Sequence, residues 1–216
     1  MVNILYCFDK NYNLQAFTSM ISLLDHSEDI IDLYIIHKEE ITINYFPKII
    51  INHKNLNKIT INTFDLKHKD FPNINNSHVS EATYYRIYLS EFLPSDTKSI
   101  LYVDADVFCI NNVENKYIHI FNEMDKSKFT IAARNDGDLK NNKKLFKDLN
   151  LKDSYFNAGV MFINLELWRK SNTTSFLIEK LEEIKHKITF WDQDVLNAHF
   201  DGEYFQLDEG MNFYPP

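Results

Sequence analysis

Ser99-Ile100-Leu101-Tyr102-Val103-Asp104-Ala105-Asp106-Val107-Phe108 is the stretch whose reading decides the fold. Residues 100–103 are β-branched, aliphatic or aromatic, the composition of a buried strand, and the run stops at two carboxylates separated by one small residue. The charges therefore stand at a strand's carboxyl end, where open α/β sheets bind their ligands. If the chain stays extended there, Asp104 and Asp106 point to the same face and Ala105 leaves room between them. Two hard oxygen donors aimed at one point suit Mg²⁺ or Mn²⁺. The same pair also reads as the solvated end of a strand, because Asp-x-Asp alone is a common tripeptide.

Upstream, residues 80–92 place Tyr84, Ile87, Tyr88 and Phe92 at the spacing of a helix packed on the sheet, and Leu93-Pro94 stops it just before the strand. Arg86 lies in that helix, either as a surface ion-pair partner or, through the short connection, as a crevice residue. Residues 3–8 form an apolar strand ending in Asp9, and Leu14, Phe17, Ile21 and Leu24 then recur at helical spacing to about Asp25. Taken alone, Asp9 reads as a helix cap. Residues 30–37 are a nearly continuous apolar strand, as expected where helices cover both faces. Residues 42–52, around Pro47, predict a short or interrupted helix. Residues 58–65 alternate as a strand, and residues 67–76 are polar loop.

Downstream, residues 113–124 read as a helix and 129–134 as a strand. Residues 135–153 are rich in lysine and asparagine and predict a mobile excursion outside the core, a candidate flap. The strand over 155–164 is entered through Asn157-Ala158-Gly159, where small residues admit close approach of backbone to a ligand. Residues 165–169 turn into a helix, and Phe176, Ile178, Leu181 and Ile184 continue a core stripe to about Lys187. Trp191-Asp192-Gln193-Asp194 opens another helix with Asp192 at a capping position. His199 reads as a surface histidine, and residues 203–208 as a last short strand. Alternating strands and helices of these lengths predict one α/β domain over 1–216, with a mostly parallel sheet.

The net charge of −8 excludes the basic stripe of a nucleic-acid surface. Only four glycines occur, and none forms a glycine-rich phosphate loop, which disfavours a sugar-phosphate nucleotidyltransferase. Phosphate binding then falls to a metal, side chains or helix amino termini. Cys7 and Cys109 lack metal-ligand spacing and read as reduced and structural. With no basic-apolar leader and no membrane-length apolar run, the expected location is cytoplasmic.

Five ordered motifs together resemble glycosyltransferase family 8, the group that includes bacterial lipopolysaccharide galactosyl- and glucosyltransferases and, more distantly, glycogenin. They are the turn through Asp9 and Asn11; His78 to Arg86 with Thr83; Leu101 to Asp106; Tyr155-Phe156-Asn157-Ala158-Gly159 with the trailing Asn164-Leu165 and Trp168-Arg169; and Asp192-Gln193-Asp194-Val195-Leu196-Asn197. The resemblance covers nearly the whole chain. It implies a Rossmann-like GT-A fold and transfer of a hexose from UDP-glucose or UDP-galactose, with retention, to a saccharide or glycolipid acceptor, compatible with peripheral membrane association.

By matching position, the resemblance implies that Cys7, Asp9 and Asn11 meet the uridine. Asp104 and Asp106 would hold Mn²⁺ (or Mg²⁺) on the diphosphate, with Ala105 between them and Asp104 also near the sugar. Arg86, Asn157, Ala158, Asp192 and Gln193 would contact the donor hexose. Gln193, beneath the sugar, is a poor nucleophile, so front-face attack is expected. The family's late His-x-x-Gly-x-x-Lys-Pro-Trp segment, which supplies a third metal ligand and a diphosphate lysine, has no match in these residues. The expectation is that they bind the donor weakly; the alternative is an impaired sugar-nucleotide-binding or partner-binding domain.

Overall fold

The structure is a computed structural model that describes all residues except 66–70, 73–79, 113, 138, 140–141, 153 and 214–216, and of 114 and 115 only the backbone. His78 and most of the 67–76 loop lie outside the described residues. In chain order the elements are β1 (Val2–Phe8), α1 (Asn13–Asp25), β2 (Ile31–His37), α2 (Lys48–Ile51), β3 (Leu56–Thr63), α3 (Leu89–Phe92) and β4 (Ser99–Val103). They continue with α4 (Glu114–Ser127), β5 (Ile131–Asn135), α5 (Lys143–Leu149), β6 (Phe156–Asn164), α6 (Leu165–Lys170), α7 (Thr173–Ile184), α8 (Trp191–Phe200) and β7 (Phe205–Gln206).

The seven strands form one sheet in the order β3-β2-β1-β4-β6-β5-β7. All its pairings are parallel except those of β6, which runs antiparallel to both β4 and β5. Alternation along each strand feeds two cores. Leu5 and Cys7 of β1, with Ile100 and Tyr102 of β4, face one layer, while Ile4, Tyr6 and Phe8, with Leu101 and Val103, face the other. Parallel strands buried on both faces read as apolar runs, which is why the strands were legible.

Four expectations are corrected. Residues 81–88 form a 3₁₀ helix, capped by the Ser80 hydroxyl accepting from the Ala82 amide, with the α-helical turn α3 following. Its three-residue period lines Tyr85 and Tyr88 over Phe64, with ring centroids 3.8 and 5.5 Å away, and packing holds a run longer than 3₁₀ helices usually sustain. Within 135–153 the described residues belong to the core rather than to an excursion: they include α5, capped by Asn142, with Leu145 and Leu149 buried. In α7 the buried stripe is Thr174, Leu177, Leu181 and Ile184, and Phe176 is exposed. His199 is half-buried, its ring stacked on Phe176 and edge-on to Phe200, and burial pushes its pKa down.

Candidate functional site

The extended geometry expected at Asp104 and Asp106 is also corrected. β4 ends at Val103, and the next residues form a turn closed by the Val107 amide on the Asp104 carbonyl at 3.2 Å. Partial desolvation, and after it the nearby charge of Asp104, pushes the Asp106 carboxyl up. Ala105 is buried between them. The register of β1 on β4, Ile4 beside Leu101 and Leu5 beside Tyr102, carries Cys7 to the level of Asp104. Asp9 caps the short 3₁₀ turn Lys10–Tyr12, accepting from the Asn11 amide at 2.8 Å. The Tyr12 phenol is pushed up by partial burial and then by the charges of Asp106, Asp9 and Asp104. Asn11 is exposed, whereas Cys7 is buried beneath the site and burial drives its thiol up.

Arg86 is the buried centre of the cluster. Its Nη1 donates to Asp104 Oδ1 at 3.2 Å and to the Ala158 carbonyl at 2.6 Å. Its Nη2 donates to Asp192 Oδ1 at 3.1 Å, and its Nε lies against Asp192 Oδ2 while donating to the Thr83 carbonyl at 3.2 Å. The guanidinium stands 4.3 Å from the centre of the Tyr102 ring. One N–H, on Nη2, has no partner among the described contacts. Burial pushes the Asp192 carboxyl up to about 6 despite the pull of Arg86. Asp192 does not cap α8. Among the described residues no side chain caps the first amides of α8; Asp194 Oδ2 instead accepts the Thr189 and Phe190 amides at 2.6 and 2.9 Å and ties down the chain's entry to the helix.

The register of β5 against β6 explains the Asn-Ala-Gly entry. Ala133 pairs with Met161 but Arg134 pairs with Asn157, so residues 158–160 bulge out of the β5 ladder. Their backbone groups find other partners. The Ala158 amide donates to Gln193 Oε1 at 2.9 Å, its carbonyl accepts from Arg86, and the Gly159 carbonyl accepts the Asp104 amide at 2.8 Å. A Cβ at Gly159 would stand 3.1 Å from Asn157 Oδ1 and 3.2 Å from Asp104 Oδ2, tighter than ordinary contact. Gln193 also donates to the Tyr155 hydroxyl at 3.3 Å, so both ends of its amide are tied to β6 or its approach.

Asn197 and Tyr155 stand in the sequence motifs without an assigned role, and Asn212 stands in none of them. Asn197 mimics a peptide group, accepting the Phe156 amide at 2.7 Å and donating to the Phe156 carbonyl at 2.9 Å, which clamps α8 to β6. Tyr155 donates to Asp194 Oδ1 at 2.6 Å. Asn212 donates to Asn157 Oδ1 at 2.6 Å, and its carbonyl is held by Arg134 at 2.7 Å. No spacing rule links position 212 to 157. Other motif residues are scaffold: Asn164 caps α6, and Arg169 donates to four carbonyls at Leu93, Pro94, Ser95 and Thr97. A cavity of about 300 Å³ beside Phe176, His199 and Glu203 lies at the opposite, amino end of the strands, away from the carboxylates.

The donor set fits a divalent cation. Asp104 Oδ2 and the exposed Asp106 supply hard oxygens, but no group of three metal-binding side chains forms among the described residues. Such a pair matches cations that use one or two carboxylates and complete their shell with phosphate and water.

A mostly parallel α/β sheet with paired aspartates at a strand's carboxyl end, facing a buried Arg-Asp pair, is an architecture of the GT-A fold. The chain belongs to glycosyl transferase family 8, whose family model matches residues 3–216. It is 25% identical to the general stress protein A of Bacillus subtilis, over 98% of this chain and 73% of that protein. It is 30% identical to the lipopolysaccharide 1,3-galactosyltransferase of Salmonella typhimurium, over 61% of this chain and 41% of that one. The fold matches the crystal structure of the galactosyltransferase LgtC in complex with donor and acceptor sugar analogs, with a TM-score of 0.81 and 23% identity over 96% of this chain and 74% of the other. Among the described residues no helix is long and apolar enough to cross a membrane.

Proposed function

We propose that this chain transfers a hexose, glucose or galactose, from a UDP-sugar to a saccharide or glycolipid acceptor with retention of configuration, assisted by Mn²⁺ or Mg²⁺. The observation that carries the reading is the juxtaposition of Asp104 and Asp106 with the Arg86–Asp192 pair and Gln193 around the bulge at Ala158-Gly159. The bound cation would neutralise charge developing on the departing diphosphate. Asp104 and Asp106 would hold it. The uridine would lie by Asp9 and Asn11, with Cys7 forming floor beneath rather than a polar contact.

Around the sugar, Arg86 has one N–H to offer, and Asn157, whose carbonyl oxygen accepts from Gly159 and Asn212, has its amide nitrogen left as donor. Gln193 Oε1 already accepts the Ala158 amide, which lowers its nucleophilicity further. Retention is therefore better served by front-face attack, with Gln193 and the buried Asp192 carboxylate offering negative potential to an oxocarbenium-like centre. A double displacement would need a free carboxylate beneath the sugar. The test is release of UDP from UDP-glucose and UDP-galactose, with and without Mn²⁺, in the presence of glycan acceptors. Metal-dependent release from one donor is the expected result, and binding without turnover would favour the sugar-nucleotide-binding alternative.

A further inference from the structure

We propose that Tyr102 is a positioning residue that restricts Asp104 to one free oxygen, so that this carboxylate serves the cation instead of closing on Arg86. This rests on the reading of Asp104 and Asp106 as the metal-holding pair. Tyr102 stands two residues before Asp104 on β4, and its ring is buried under the Arg86 guanidinium. Its hydroxyl donates to Asp104 Oδ1 at 2.6 Å, the same oxygen that accepts from Arg86 Nη1 at 3.2 Å.

A carboxylate beside a guanidinium is drawn to a two-pronged pairing that uses both oxygens. In that pose neither oxygen of Asp104 would be free to face the crevice. The phenol removes the option, because it occupies Oδ1 from the strand side and leaves only one arginine N–H to share it. Oδ2 then lies beside Gly159, 3.2 Å from the place a Cβ would take. The arginine's paired contact is taken by Asp192 instead. Packing alone would accept phenylalanine at position 102. A buried hydroxyl is costly unless it is hydrogen-bonded, and the partner of this one is Asp104.

The test compares Tyr102→Phe with the wild type, using Mn²⁺ plus UDP in calorimetry and free-Mn²⁺ electron paramagnetic resonance. Partners behind a metal ligand typically change metal affinity 10- to 100-fold, so Mn²⁺-dependent UDP affinity should fall about tenfold. UDP affinity without metal should stay as in the wild type. In an Asp104→Asn background the same change should cost nothing further, since the hydroxyl acts through that carboxylate; a merely structural role would weaken both backgrounds and lower Tm. Tyr102→Met gives a second hydroxyl-free variant should the Phe variant fail to fold. Asp106→Asn separates the two levels. If it abolishes Mn²⁺ dependence while the hydroxyl-free variant binds Mn²⁺ like the wild type, the positioning role is overturned alone. If Mn²⁺ dependence survives in Asp106→Asn, the metal reading falls and this proposal with it.

Discussion

Asp192 is ionised only against the cost of its burial, and that cost sets its pH dependence. Its carboxyl titrates near 6 in the folded chain against 3.8 for an unperturbed aspartate. Below about pH 4 it is neutral in both states, so its stabilising contribution is fully present there; as pH rises through about 6 the contribution is lost, by about 3 kcal/mol in all. The expected result is that unfolding free energies of wild type minus Asp192→Asn decline between pH 4 and 7 in urea titrations. A flat difference would mean that the native carboxylate ionises at its ordinary pKa. At the proposed metal-holding pair, Asp106→Asn should remove Mn²⁺-dependent UDP binding and leave the melting temperature within a few degrees, because this side chain is exposed and adds nothing to either core. Unchanged Mn²⁺ titration by calorimetry would contradict the assignment. Gly159→Ala should likewise weaken Mn²⁺-dependent UDP binding, by about tenfold on the scale of second-layer metal-site changes, because the new methyl competes for the space that Asp104 Oδ2 faces.

At the scale of elements, the site is made where regular pairing stops: the turn after β4, the bulge in β6 and the first turn of α8. Strand positions were legible because apolar runs announce them. The bulge was partly legible, through Asn157-Ala158-Gly159, but its partners were not, since Gln193 and Arg86 reach it from elements 35 and 72 residues away in sequence. Asp192 illustrates the limit. An aspartate in a helix's first turn looks like a cap, and only the tertiary position of Arg86 assigns it elsewhere, while Asp194 fastens the loop that enters the helix. The lysine-rich 135–153 segment misled for a compositional reason: its exposed charges outnumber the apolar residues Leu145, Phe146 and Leu149 through which α5 packs on the core. Leu149→Ala should therefore destabilise the protein by about 2–5 kcal/mol through lost burial and the cavity left behind. Equilibrium denaturation checks this, and a loss under about 0.5 kcal/mol would restore the flap reading.

Across the whole molecule, the carboxyl edge of the sheet gathers carboxylates from β1, β4 and α8, and the described contacts there provide one buried guanidinium to balance them. Concentrated negative charge at the mouth opposes an anionic nucleotide diphosphate unless a cation comes with it. UDP and Mn²⁺ should for that reason bind cooperatively, each improving the other's affinity by the same factor. Ligands that bind only the native state raise its stability by about 2.7 kcal/mol at one hundred times Kd, which for a chain of this size amounts to roughly 5–10 °C in Tm. The expected pattern in thermal-shift measurements is a small rise with Mn²⁺ alone, little or none with UDP alone, and a rise exceeding their sum with both. UDP-glucose and UDP-galactose, run with Mn²⁺, then rank the donors. Strictly additive shifts would mean that the nucleotide and the cation occupy separate places, and the crevice between β1 and β4 would not be where the diphosphate is held.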